Sequence, residues 1–104
     1  MLKFYIAVLD TVDSGHQILS VAHGTLMAHL KFKDVPEYKE WISNSFRKCI
    51  IKVNQKEFNK IKEDIPEITI VTEGALDNQE IAIAICPRED YPNVIKFAKL
   101  FKYE

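Results

Sequence analysis

Short apolar runs alternate along the chain with stretches of helical period. Residues 2–9 form a nearly continuous apolar run rich in aromatic and β-branched side chains, which predicts a buried strand. A polar turn covers 10–13. From 15 to about 32, Ile18, Ala22, Leu26 and Leu30 recur four apart, predicting a helix that turns this stripe toward the core. His29 falls inside the stripe and reads as a packed core histidine. Ser14 with Gln17 fits the S-x-x-Q capping box and marks the helix start. Pro36 suits the first position of a short helix over 37–42 that carries Trp41. A second strand lies within 46–53, and Asn54 is a good N-cap for a helix through Phe58 and Ile61. Residues 68–71 and 81–85 read as the third and fourth strands. The polar loop 73–79 between them suggests a hairpin. Pro87 and Pro92 frame a turn before a last helix over 93–100.

The order is therefore β-α-(α)-β-α-β-β-α. It predicts an α/β fold in which a mixed four-stranded sheet is covered by helices. A chain of 104 residues has room for one core, so a single domain over 1–104 is expected. No apolar run approaches a membrane span, and the start lacks the layout of a signal peptide. Cys49 and Cys86 both sit in strand-like runs and read as reduced core thiols, which fits a cytoplasmic protein.

The formal net charge of −1 argues against a strongly basic nucleic-acid binder. Lysine and arginine nevertheless gather in the middle of the chain, around Lys31, Lys33, Arg47, Lys48 and Lys52, where a modest patch could meet phosphate.

The candidate chemistry concentrates at the start of the first long helix. His16, Ser20, His23 and Met27 fall within a narrow arc at about 100° per residue. His16 sits in the first turn, where free backbone N–H groups and the positive dipole end favour a neutral imidazole. The two histidines are about 10 Å apart by helical rise, too far for joint chelation of zinc. No other metal-ligand spacing and no glycine-rich phosphate loop occurs, so neither metal nor cofactor is expected. General acid–base chemistry remains, with His16 as base and an acidic partner at Glu73 or Asp77 if their loop folds toward the helix.

The run Gly15-His16-Gln17-Ile18-Leu19-Ser20-Val21-Ala22-His23-Gly24 resembles the G-K-x-x-x-Q-x-A-H-A pattern of the type-2 peptidyl-tRNA hydrolase family. The resemblance continues through Trp41, a K-x-x-x-K-V strand at 48–53, Glu57 with Phe58, and Ala84-Ile85-Cys86-Pro87, where the family often has A-I-G-P. His16 stands where the family has lysine, Ser20 where it has glutamine, and Glu73-Gly74-Ala75-Leu76-Asp77-Asn78 replaces a D-A-G-R-T-Q loop. The resemblance implies hydrolysis of the ester between a peptide or blocked amino acid and tRNA, while the modest charge and Leu76 in place of the loop arginine point to a smaller acyl ester or amide as the other substrate class. His16, His23 and Glu73 would be the catalytic residues. Ser20, Thr72, Asp77, Asn78 and Gln79 would line the pocket, and Lys48 would serve substrate binding. The alternative is a member that kept the fold and binds RNA, a nucleotide or a protein partner. Family members often pair as dimers, and a closing helix bearing Phe97, Leu100, Phe101 and Tyr103 would suit that.

Overall fold

The computed structural model describes residues 1–102. Strand β1 (Lys3–Leu9) leads into helix α1 (Ser14–Phe32), followed by the short helix α2 (Pro36–Ser43) and strand β2 (Arg47–Val53). Helix α3 (Gln55–Asp64), strand β3 (Ile68–Glu73), a single 3₁₀ turn (Gly74–Leu76) and strand β4 (Gln79–Ile85) come next. A one-turn helix α4 (Asn93–Lys96) and a two-residue strand β5 (Lys99–Leu100) complete the order.

The five strands form one sheet in the order β3-β4-β1-β2-β5. β1 at its centre pairs in parallel with β2 and antiparallel with β4, so the sheet is mixed. β3 and β4 make the expected hairpin. Its tight end is built on Asp77 and Asn78, both left-handed (φ 55° and 61°), a conformation that Asx residues tolerate better than most.

One strand more is present than the apolar runs indicate. The expected closing helix stops at Lys96, and the chain then extends so that Lys99 and Leu100 pair with Lys52 and Ile51 of β2. The aromatic helical face expected of Phe97, Leu100 and Phe101 is therefore not formed, and Tyr103 lies outside the described residues.

α1 and α2 cover one face of the sheet, α3 and α4 the other. On the first face, a Cβ at Gly24 would touch Val71 of β3, Ala84 of β4 and Ile6 of β1, which places α1 over those three strands. α2 sets Trp41 edge-on to Phe4 at 5.1 Å, and the indole N–H donates to the Arg47 carbonyl at 2.8 Å. On the second face α3 buries Phe58 and Ile61. Asn54 caps it as expected, in a full capping box with Glu57.

The face that α1 buries differs from the expected one. Gln17, Ser20, Gly24, Ala28 and Phe32 point into the molecule. Ile18, Leu26 and Leu30 are 51%, 62% and 63% exposed. Small residues let the helix lie close to the sheet, and the four-spaced larger residues are turned to the outside. His29 goes with them: it is exposed, and its Nδ1 lies 3.1 Å from the Tyr38 hydroxyl. The helix start also differs, because Asp13 rather than Ser14 is the N-cap. Gln17 is buried instead and donates from Nε2 to the Leu9 carbonyl at 3.0 Å, tying α1 to the end of β1.

Cys49 and Cys86 are both free thiols. Burial, with Glu37 and Glu67 adding to it, pushes the Cys86 thiol up to about 11. No helix among the described residues is long and apolar enough to cross a membrane.

Candidate functional site

The Asp13 carboxylate organises the start of α1. Oδ2 accepts the His16 backbone N–H at 3.1 Å, which satisfies one of the free donors of the first turn. Oδ1 lies 2.7 Å from His16 Nδ1. A carboxylate can only accept, so Nδ1 carries the proton and, in the neutral ring, the Nε2 lone pair is left free. The hydrogen bond to Asp13 is the largest influence on His16 and raises its pKa, opposed by desolvation and aided by the charges of Asp13 and Glu73. Asp13 is lowered in return, first by the same side-chain hydrogen bond and then by the one from the His16 backbone. The helix-end field was expected to favour the neutral ring. The adjacent carboxylate outweighs it.

Glu73 closes β3 and is half-buried. Its Oε1 accepts the Ala75 N–H at 3.2 Å and so caps the 3₁₀ turn. α1 runs antiparallel to β3, with Lys31 donating to the Ile68 carbonyl and Gly24 against Val71. Glu73 therefore lies toward the His16 end of the helix, and its charge helps to raise that histidine. The direct partner of the imidazole is nevertheless Asp13, the N-cap of the same helix three residues before the histidine, and neither Glu73 nor Asp77 of the expected loop. His23 is exposed two turns further along the same flank of α1.

The remaining expected pocket residues divide. Gln79 pairs with Glu73 across the hairpin and is exposed, as are Asp77 and Asn78 at its tip. Thr72 pairs with Glu80, whose carboxylate is held by Lys62 of α3 at 2.6 Å. Thr72 follows Val71, which faces α1, and so points to the α3 side, and a register shift between the two brings Glu80 opposite it. Ser20 is fully buried and donates to the Gln17 carbonyl at 2.7 Å, so its hydroxyl serves the helix rather than a pocket. Lys48 sits on β2, on the opposite flank of α1 from His16, with its ammonium over the Phe46 ring.

Sequence reasoning passes over Asp13 and takes Gln17 for a capping residue, where it is buried on the Leu9 carbonyl. The signal for Asp13 is the D-x-x-H spacing, in which one residue suits both the N-cap and the imidazole three positions on. The neighbouring S-x-x-Q box competes with it for the same helix start. Compared with protein-family models and with curated protein sequences, the chain matches none.

Proposed function

We propose that this protein is an ester hydrolase of the peptidyl-tRNA hydrolase type, with His16 as its general base. The observation that carries the reading is the 2.7 Å contact between Asp13 and His16 Nδ1. It fixes the ring and its tautomer while Nε2 remains available to a water molecule. In the reaction, Nε2 takes a proton from that water as the oxygen attacks the ester carbonyl. Asp13 and, through space, Glu73 stabilise the imidazolium. The proton then passes to the ribose oxygen as the acyl group departs. His23, on the same flank, and the hairpin residues Asp77, Asn78 and Gln79 would contact the substrate. The substrate class is an N-blocked aminoacyl- or peptidyl-tRNA, or a smaller acyl ester.

The test is release of the acyl group from N-blocked aminoacyl-tRNA by wild type, His16→Ala and Asp13→Asn. His16→Ala should lose about 10²–10⁴-fold in turnover while remaining folded. The rate of the wild type should rise with pH through a limb above the ordinary histidine value of about 6.5, because His16 is raised. Asp13→Asn should move that limb to lower pH. No release by the wild type, or full activity in folded His16→Ala, removes this reading.

A second reading, binding without turnover, draws on the position of the cavities. One of about 790 Å³ is lined by Ser14, Gln17, Lys52, Lys99, Leu100, Phe101 and Lys102, on the side of α1 away from His16.

A further inference from the structure

α1 covers β3, β4 and β1 and stops short of β2. The side of β2 that looks toward α1 carries Lys48, Ile50 and Lys52, all exposed or half-buried, where the neighbouring strands are sealed. β5 extends this open half-face, and Lys99 stands directly opposite Lys52 in the register. Like charges in direct cross-strand opposition destabilise a sheet. Edge protection accounts for Lys99, since lysine on an edge strand discourages further pairing. It does not account for Lys52, because β2 is an interior strand between β1 and β5.

Lys102 brings a third cation to the same cavity, and among the described residues no acidic one lines it. Among the described residues, none of these three lysines forms an ion pair. Each end of the open face also carries an aromatic ring. Lys52 Nζ lies 4.9 Å from the centroid of Phe101, and Lys48 Nζ lies 3.1 Å from that of Phe46. Phe46 is 54% exposed and left-handed at φ 50°, an unfavourable conformation for a bulky residue, and it stacks on Trp41 at 5.2 Å. Lys48 and Lys52 are four residues apart on one strand, hence about 13 Å. A second cavity, of about 460 Å³, lies beside the Lys48 end and includes Thr25, Trp41 and Phe46.

We infer that the open face of β2 and β5 is a binding strip for single-stranded nucleic acid, with Lys52, Lys99 and Lys102 on phosphates and Phe46 and Phe101 as stacking surfaces for bases. Lysines alone would suit any polyanion. Aromatic rings at both ends of a lysine-bearing sheet face favour a nucleic acid over an acidic peptide. The strip is separate from the His16 flank and is argued without it. It places a nucleic acid on this protein whether or not an ester is cleaved.

The experiment is fluorescence anisotropy of a labelled single-stranded oligoribonucleotide of about eight nucleotides, within the usual range of site sizes, titrated across KCl concentration. His16→Ala is the background, so binding is read without turnover. Lys52→Gln/Lys99→Gln should weaken binding roughly tenfold and flatten the salt dependence by about 1.4 in slope. Phe101→Leu should weaken it with the slope unchanged. Lys56→Gln, on α3 and hence on the other face of the sheet, should leave both unchanged. Unlabelled oligomer should compete far better than inorganic phosphate, AMP or polyglutamate. No binding at low salt, equal competition by polyglutamate or free phosphate, or an unaltered affinity in the double-lysine variant overturns the inference. Loss of hydrolysis in His16→Ala with binding retained would separate this site from the proposed catalytic one.

Discussion

The Asp13 carboxylate both caps α1 and anchors the His16 ring, and the two groups shift in opposite directions as a result. Asp13 is lowered on folding, so its contribution is present above the ordinary aspartate value and lost as pH falls through its folded value. His16 is raised, so its contribution is present below about 6.5 and lost as pH rises through its folded value. Asparagine keeps the cap and removes the charge. Urea unfolding of wild type and Asp13→Asn across pH should therefore differ most between about pH 4 and 6.5. The two should converge below as Asp13 is protonated, and differ less above as His16 loses its charge, where only the backbone contact of the carboxylate remains. A constant difference would mean that the pair contributes only through the cap. The histidine itself was legible because it stands in the first turn of a strongly periodic helix. Its partner was not, because Asp13 and Ser14 are equally good caps, and only the side-chain directions decide between them. The burial of Ser20 was likewise hidden: a serine on the histidine arc reads as polar, while its hydroxyl is already satisfied by the helix backbone.

α1 shows how far a periodic pattern carries at the level of an element. Period four marks a helix, and the helix is there. Two faces compete for burial, however: the stripe at 18, 22, 26 and 30, large except at Ala22, and the small residues at 20, 24 and 28. The sheet accepts the small face because the helix then approaches closely, and the polar groups of Gln17 and Ser20 are paired on the way in. Gly24→Ala should tighten this contact. The new methyl would meet Val71 at 3.4 Å and Ala84 at 3.5 Å, ordinary packing distances. Alanine is also the better helix former, so a gain of about 0.5–1 kcal/mol is expected in chemical denaturation. Gly24→Leu should instead lose about 1–3 kcal/mol by overpacking. Leu26→Gln on the outer face should change stability by about 0.5 kcal/mol or less. A cost of several kcal/mol at Leu26 would mean that the outer stripe is covered. β5 escaped the sequence reading for another reason. A two-residue strand has no alternation to detect, and its pairing with β2 depends on where α4 releases the chain.

Across the whole molecule, the mixed α/β character was readable because Pro36, Asn54 and the hairpin loop punctuate the apolar runs. The order β3-β4-β1-β2-β5 was not, since every apolar run is a plausible neighbour of every other. The result is that β1, sealed on both faces from Phe4 onward apart from Tyr5, touches partners far away in the chain on either side. Native-state hydrogen exchange should find the β1 and β4 amides exchanging only through global unfolding, with β5 and α4 opening most readily. Fast exchange along β1 would contradict this topology. The same arrangement shapes how the chain is made. As translation proceeds, β1 leaves the ribosome first, yet β2 must follow before one edge is paired and β4 before the other. The most apolar strand of the protein therefore waits longest for its partners. Its nascent chain depends on α1 lying over it early, or on a chaperone, until the hairpin arrives.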